Sequence, residues 1–380
     1  MDFRDTPEEA AYRADLRAWL AANAPAALAD LAADPDGDDG HRQRVVFHHK
    51  LHEAGYIGQS WPVEWGGKGL SPVMDLILNE EAGNFDVLLP GFVGYIGRAL
   101  LMYGTDEQRA QLLPRSLSGE IQWCQGFSEP EAGSDLAALR TRAVRDGDEF
   151  VVNGHKMWTS GGQHGDWCLL LARTDADVPK HKGISAFLVD MRTPGISVSP
   201  IVLADGSPET SEVFWDDVRV PAANMLGGPG EGWKIAMTTV SYERGPSDIG
   251  FISSYRKSLS ALERKAEKAG LTDDPAVRIR FARAHVLGET LRLNVLQQLS
   301  LRLGGHTPGV EGSISKQLWT RTEQALQHLA LDLFGPQVVT GEEPGLLHDY
   351  FASRPISVYG GSAQIQNNII AQRVLGLPRS

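Results

Sequence analysis

The residues best suited to chemistry lie in three polar, glycine-containing segments next to apolar runs. They are residues 125–135 (QGFSEPEAGSD), residues 158–162 (WTSGG) and residues 359–366 (YGGSAQIQ). Hydroxyls and backbone N–H groups in a tight turn can bind the edge of a heterocycle or phosphate oxygens, and a flat aromatic ring can stack on a planar ligand. A capped loop would explain any one segment, but the three together favour a binding site for a heterocyclic ligand.

A carboxylate that could act as a base lies on a predicted helix further along the chain. At about 100° per residue, Trp233, Met237, Val240 and Arg244 share an apolar stripe, and Glu243 lies at its border. An arginine on a buried stripe needs a partner, and burial at the edge of a core raises the pKa of a carboxyl group towards that of a useful base. The alternative interpretation is a structural Glu243–Arg244 ion pair.

Other site chemistries have little support in the sequence. No Gly-x-Gly-x-x-Gly segment joins a strand to a helix, and no Walker-type loop is present, so a Rossmann or NTPase site is not predicted. The histidines at 41, 48, 49 and 52 lack an accompanying carboxylate or cysteine arrangement of known ligand spacing. We interpret them as part of a solvated helix and expect no metal site.

Composition limits the partners and the compartment. The chain has 380 residues, with 36 Lys and Arg against 48 Asp and Glu, a formal net charge of −12, which argues against nucleic acid or an anionic membrane as partner. Its two cysteines, Cys124 and Cys168, are predicted core residues typical of a reducing compartment. The sequence shows neither a signal-peptide pattern nor a membrane span, so we expect a cytoplasmic location.

The predicted secondary structure around these segments changes twice along the chain, from helices to strands and back to helices. Residues 1–120 show helical periodicity, beginning with a capping signal at Thr6 to Glu9. Residues 121–228 contain short strand-like runs, including a hairpin predicted across Asn153-Gly154. Further strands are predicted at 167–173, 184–190, 196–202 and 212–220. This middle region is expected to be an antiparallel β-barrel or sandwich domain.

Helical periodicity returns over residues 229–380. Asp274-Pro275 predicts the start of a long helix that ends near Gly304, and a second helix is predicted from Ser313 to Phe334, ended by Gly335-Pro336. The fold class predicted is therefore α+β and mainly α: an N-terminal helical domain, a middle β domain and a C-terminal helix bundle.

With these motifs in this order, the chain resembles the acyl-CoA dehydrogenase family over essentially its whole length. Residues 61–67 (WPVEWGG) and 374–379 (VLGLPR) look like bacterial members that act on fatty, branched or sterol-derived acyl-CoAs. The resemblance implies FAD as cofactor, an acyl-CoA substrate and an electron-transferring flavoprotein or similar acceptor.

The resemblance also implies roles for individual residues around the flavin. The flavin ring would be lined by Gln125, Phe127 and Ser128, and Trp158 would pack on the isoalloxazine. The N5 and O4 edge would accept hydrogen bonds from or donate them to Thr159 and Ser160. The nucleotide half would be contacted by Ser362 and Gln364, and Ser134 would lie near the pyrophosphate or the thioester.

The chain departs from the family pattern at the catalytic base. Many members carry a glutamate directly after the tyrosine of the C-terminal segment, where this chain has Gly360. A minority place the base in a Glu-Arg pair on the first helix after the β domain, which resembles Glu243-Arg244. The resemblance therefore implies Glu243 as base, while Gly360 would present its backbone N–H to the thioester carbonyl.

A second departure concerns assembly. The family's Arg-x-x-Phe-Gly element, which reaches the adenine half of FAD across a subunit interface, is matched only by Arg278 and Phe281, followed by alanine. This leaves a homo-oligomer and a heterotetramer with a sister subunit both open. A non-catalytic half-site subunit, and an oxidase or hydroxylase on the same fold, are the alternatives to a dehydrogenase.

Overall fold

The structure is a computed structural model that describes residues 4–31, 38–85, 87, 89, 91–243, 249–306 and 309–378. The N-terminal helices are α1 (Pro7–Leu31), α2 (Asp38–Glu53), α3 (Pro72–Asn84), α4 (Gly91–Tyr103) and α5 (Asp106–Ser118). The predicted capping signal of α1 is confirmed, because the Thr6 N–H donates to Glu9 at 2.7 Å and the Glu9 N–H donates to Thr6 Oγ1 at 3.3 Å. On α2, His48 is 2% exposed rather than solvated.

The middle of the chain forms a hydrogen-bonded sheet. Its strands are β1 (Trp123–Gly126), β2 (Arg142–Asp146), β3 (Glu149–Ser160), β4 (Trp167–Arg173), β5 (Ile184–Asp190), β6 (Ile196–Ile201), β7 (Thr210–Pro221) and β8 (Met225–Leu226). The order is β6-β7-β3-β2-β4-β5-β8, with β1 on β4. The sheet is mostly antiparallel, but β4 pairs in parallel with both β1 and β2. A parallel pair needs a long connection, and such a connection leaves no turn motif in the sequence.

The hairpin predicted across Asn153-Gly154 is wrong. The strand β3 runs through both residues, and the true hairpin joins β2 to β3 with Asp146 opposite Glu149. Asn153 instead fixes a register shift against β7, because its Nδ2 donates to Asp217 Oδ1 at 2.9 Å. A Cβ on Gly154 would lie 2.3 Å from Thr141 Oγ1, so this glycine permits close strand contact rather than a turn.

The C-terminal helices are α6 (Gly232–Glu243), α7 (Ile249–Lys268), α8 (Pro275–Leu303), α9 (Glu311–Val339), α10 (Pro344–Ala352) and α11 (Ala363–Ile369). Asp274 caps α8 as predicted, accepting from the Ala276 N–H at 2.8 Å. The break in α9 predicted at Gly335-Pro336 is present, because Phe334 has a non-helical φ of −127° and ψ of 21°, and a further helical segment continues from this kink to Val339. A proline next to the kink is its ordinary cause.

The core connects the helices to the sheet where the site residues lie. One buried cluster joins α4 and α5 with β1, β4, β5 and α6, and includes Leu100, Trp123, Leu169 and Ile235. The predicted arrangement of helices, a sheet and further helices is thus confirmed. Within the described ranges, no helix is both long and apolar enough to cross a membrane.

Candidate active site

The loop after β1 is fixed against β3, which brings two of the predicted ligand segments together. The Lys156 ammonium donates to the Phe127 carbonyl at 3.0 Å and to Glu129 Oε1 at 2.8 Å. The Met157 N–H donates to the Ser128 carbonyl at 2.9 Å. Phe127 and Ser128 therefore lie beside the strand that ends in Trp158, Thr159 and Ser160.

The Glu129–Lys156 pair is a buried structural clamp. Glu129 also accepts from the backbone N–H groups of Arg140 at 2.7 Å and Thr141 at 2.9 Å. Burial alone would raise the pKa of Glu129, but Lys156 and these hydrogen bonds hold it below its usual value. Burial lowers the pKa of Lys156, and the charge of Glu129 opposes that effect. A fully hydrogen-bonded ion pair of this kind specifies position rather than chemistry.

Trp158 has a backbone conformation that holds its ring out of the sheet. Its φ is +61°, and the residue is 51% exposed although Lys156 and Thr159 on the same strand are buried. The register with β7 is interrupted between Lys156 and Thr159, so Trp158 sits on a bulge. A left-handed tryptophan costs free energy, and such strain concentrates at ligand sites. The exposed ring face suits stacking against a planar group.

The hydroxyl next to this ring has no hydrogen-bond partner among the described residues. Thr159 is fully buried, and its Oγ1 is unsatisfied, as is Thr210 Oγ1 on the facing strand. Leaving a buried hydroxyl unpaired costs about 1–3 kcal/mol. Because these oxygens are closed to solvent, it is the exposed Trp158 ring with the half-buried Ser160 two residues on that fits a cofactor with a flat, polar-edged heterocycle, such as the flavin of FAD.

The remaining predicted cofactor residues lie on β1, on the loop that follows it and at the start of α11. Gln125 is half-buried on β1 opposite Leu169, and both Ser134 and Gln364 are exposed. Ser362 caps α11, because its Oγ accepts from the Ile365 N–H at 3.3 Å. Their roles toward a cofactor stay predictions.

The orientation of α6 differs from the stripe predicted for it. The buried residues are Gly232, Ile235, Ala236 and Thr239, whereas Met237 is 38% exposed. The helix packs in the shared core through Ile235 and Ala236, so the buried face lies to one side of the predicted stripe. Burial follows packing against α4 and β5, which apolar periodicity alone does not specify.

Because the buried face of α6 differs from the predicted stripe, Glu243 lies at the end of the buried face rather than at the border of the stripe. Glu243 is half-buried, is the last residue of α6 and follows Thr239 by four positions, so it lies at the end of that face. Arg244, its predicted partner, lies outside the described residues.

The charge of Glu243 reaches two tyrosines on different elements. Burial and then Glu243 raise the pKa of Tyr95 on α4 well above its usual value. Partial burial raises the pKa of Tyr359, and Glu209, Glu243 and Glu323 raise it further. Since Tyr359 directly precedes Gly360, the carboxylate and the glycine turn predicted from separate motifs are within electrostatic reach of one another.

The Gly360 turn is held by a residue that sequence reasoning did not single out. Gly360 has φ +61° and Gly361 has φ +89°, a conformation that favours glycine at both positions. Gln366 is 1% exposed, and its Nε2 donates to the Gly360 and Gly361 carbonyls at 3.1 and 3.2 Å. The sequence signal that could have identified Gln366 is its position six residues after Gly360, on the first turn of α11.

Arg278 is engaged within its own chain. Its guanidinium donates to the Thr272 and Asp273 carbonyls at 2.8 and 3.0 Å, while Phe281 is buried. In this chain the pair stabilises the start of α8.

Comparisons with known proteins agree with this arrangement. Family models of the acyl-CoA dehydrogenase N-terminal, middle and C-terminal domains match residues 6–120, 124–218 and 230–375. Acyl-CoA dehydrogenase IpdE1 of Mycobacterium tuberculosis is 39% identical over 383 residues, covering 97% of each chain.

Two solved structures of two-component complexes are also similar over the full length. The Tcur3481-Tcur3483 steroid ACAD has a TM-score of 0.88 at 29% identity, and the ChsE4-ChsE5 complex from Mycobacterium tuberculosis has a TM-score of 0.85 at 31% identity. Each covers 100% of both chains. On the three domain matches and the full-length relatives, the chain belongs to the acyl-CoA dehydrogenase family, whose members are FAD-dependent oxidoreductases.

Proposed function

We propose that this chain dehydrogenates an acyl-CoA thioester to the 2-enoyl-CoA, with Glu243 as the base. The observation that carries the proposal is the position of Glu243, at the end of the buried face of α6 and close enough to Tyr359 to raise its pKa. Gly360 has no side chain that could accept a proton. A carboxylate supplied by a neighbouring helix therefore replaces the one that other family members carry on the turn.

The ring-binding part of the site is the cluster around Trp158. Trp158 would stack on the flavin, and Thr159, Ser160, Gln125, Phe127 and Ser128 would surround its ring. Ser134, Ser362 and Gln364 would contact the nucleotide or the thioester. When bound, FAD supplies the acceptor for the hydride that leaves the substrate Cβ.

The Gly360 turn and the helix α6 would supply the two remaining roles in the reaction. The Gly360 N–H would donate to the thioester carbonyl and stabilise the negative charge that develops there. Glu243 would take the proton from Cα as the hydride leaves Cβ, so two C–H bonds break and one C=C bond forms. Gln366 keeps the turn in place through its two carbonyl contacts.

For the acyl group, we propose a branched or sterol-derived chain rather than a short straight one. The support is the full-length similarity to a structure described as a steroid ACAD. The electrons would pass to an electron-transferring flavoprotein or a similar carrier. Turnover with straight, branched and steroid-side-chain CoA thioesters, with and without a carrier, tests both points, and peroxide formed without a carrier would instead support an oxidase.

We propose that the active species is an oligomer, with a heterotetramer favoured. Two similar structures are two-component complexes, and the Arg278 guanidinium is engaged inside its own subunit. The helix α8 also presents Ile279, Val286 and Leu293, exposed by 54, 65 and 43% and spaced seven residues apart on one face. A colourless protein that gains flavin only with a co-expressed homologue would support the half-site alternative.

The proposed reaction is tested by mixing the FAD-loaded protein with an acyl-CoA without oxygen. Bleaching of the flavin absorbance together with a CoA product lighter by two hydrogens supports it. Retained absorbance with every thioester, in a protein that binds FAD, would contradict it.

A further inference from the structure

Lys316 is a buried lysine whose ammonium lies between two aromatic rings. The residue is 6% exposed on α9, and its Nζ lies 4.4 Å from the Trp319 ring centroid and 4.3 Å from the Tyr359 ring centroid. Both distances are within the roughly 6 Å at which a cation over a ring face is attracted. Since burying a charge is costly, this contact on two sides holds the ammonium in a defined place.

That place is directly against the Gly360 turn. A Cβ built on Gly360 would lie 3.8 Å from both Cε and Nζ of Lys316, which is van der Waals contact. Tyr359, whose ring contacts the ammonium, is the residue immediately before this glycine. Lys316 thus contacts the turn that would hold the thioester carbonyl through the Tyr359 ring, and Gln366 contacts it through two carbonyls.

The surroundings of this turn are otherwise rich in negative charge. Carboxylates of Glu209, Glu243 on α6 and Glu323 on α9 all raise the pKa of Tyr359, beyond the effect of its partial burial. An enolate forming at the same turn would be opposed by the Glu209 charge, whereas Glu243 is neutral once it has taken the Cα proton and burial raises the pKa of Glu323. A fixed cation a few ångströms away offsets that repulsion, and does so most strongly where water is excluded.

We propose that Lys316 is a positioning residue for the reaction. Through the Tyr359 ring its ammonium fixes the Gly360 turn, and its charge makes the α-carbon of the bound thioester easier to ionise. This inference rests on the proposed function, because it needs the thioester at that turn. The residue was not predicted, because the sequence indicated only the bounds of the helix that became α9.

The 3-oxo derivative of an acyl-CoA that the protein dehydrogenates is a suitable probe, because its acidic methylene loses a proton to solvent or to a side chain without any hydride transfer. Its enolate absorbance would be titrated against pH when bound to the FAD-loaded wild type, Lys316→Met, Lys316→Arg and Lys234→Met. Lys234 is the matched control, an exposed lysine whose Nζ lies 5.1 Å from the Tyr103 ring centroid. Lys316→Gln provides a second neutral variant in case Lys316→Met does not fold.

We expect the neutral variants to form about tenfold less enolate at a fixed pH, because a nearby charge of this kind contributes on the order of 1.4 kcal/mol. Lys316→Arg should keep most of the effect, and Lys234→Met all of it. Equal ionisation on wild type and the neutral variants would overturn the role of Lys316 while leaving the proposed function intact. A wild type that dehydrogenates an acyl-CoA but binds its 3-oxo derivative without forming the enolate would overturn this inference alone, and one that dehydrogenates no thioester would overturn both.

Discussion

The Lys156 ammonium and the Glu129 carboxylate form a 2.8 Å ion pair in which Lys156 is fully buried. The pair connects the loop after β1 to the strand that carries Trp158, 27 residues away in sequence. Two segments that appear as separate motifs in the sequence are therefore one structural unit. The proposed flavin-ring site depends on this connection.

Lys156→Met should consequently destabilise the protein and weaken the cofactor site. Removing one partner of a buried pair leaves the other uncompensated, at a cost of about 3–5 kcal/mol. Urea unfolding of the apo-protein measures this loss. Lys180→Met is the control, since the exposed Lys180–Asp135 pair at 2.8 Å should contribute at most about 1 kcal/mol. Similar losses for both variants would show that the buried pair has no special role.

Two substitutions of Trp158 separate the backbone strain at this position from the contribution of its ring to FAD binding. Trp158→Gly removes both the ring and the cost of a positive φ, whereas Trp158→Ala removes the ring alone. We expect the apo Gly variant to be more stable than the Ala variant by about 1 kcal/mol, while both bind FAD more weakly than wild type. Thermal melting and FAD titration measure the two effects. Unchanged FAD affinity in both would remove Trp158 from the site, and Phe214→Ala, elsewhere on the sheet, is the control.

The fold was predictable where local chemistry decides it. The capping box of Thr6 and Glu9, the Asp274 cap and the run of strand β4 all depend on neighbouring residues, and each is confirmed. The division at residues 120/121 and 228/229 stays a prediction. Asn153-Gly154 misled because a turn-forming dipeptide also suits a bulge, and the choice depends on distant Thr141 and Asp217.

Of the site, the motifs identified the segments but not their physical state. The positive φ of Trp158 and the unsatisfied hydroxyl of Thr159 follow from the bulge against β7, which involves residues more than 50 positions away. Similarly, the contact of Lys316 with the Tyr359 ring, next to Gly360, depends on how α9 packs against the C-terminal turn. Such relationships are tertiary, and sequence spacing carries no signal for them.

His48 should make stability depend on pH. Burial lowers its pKa below the usual 6.5, although the 2.8 Å contact of Nε2 with the Leu117 carbonyl opposes this. Below about pH 6.5 the unfolded chain binds a proton that the folded chain does not, so stability falls as pH decreases until the folded state is protonated too. Urea unfolding between pH 7.5 and 5.5 should show a smaller decrease for His48→Gln than for wild type or for the exposed control His306→Gln. Parallel decreases would contradict this account.

The exposed apolar face of α8 should control assembly. Val286→Lys places a charge in the middle of that face, so it should weaken self-association or association with a sister subunit while leaving the subunit fold intact. Sedimentation velocity measures the assembly, and Val144→Lys, at another exposed apolar position, is the control. An unchanged oligomer would place the interface elsewhere.

The most direct test of the account is the rate of flavin reduction by an acyl-CoA in one turnover of Glu243→Gln. The amide keeps the size of the side chain but cannot take the proton, so reduction should slow by at least the ~10²–10⁴ of general-base catalysis, with FAD content unchanged. Glu323→Gln, which removes another carboxylate that acts on Tyr359, should retain a rate close to wild type. Reduction of the Glu243→Gln flavin at the wild-type rate would contradict the central claim that Glu243 is the base.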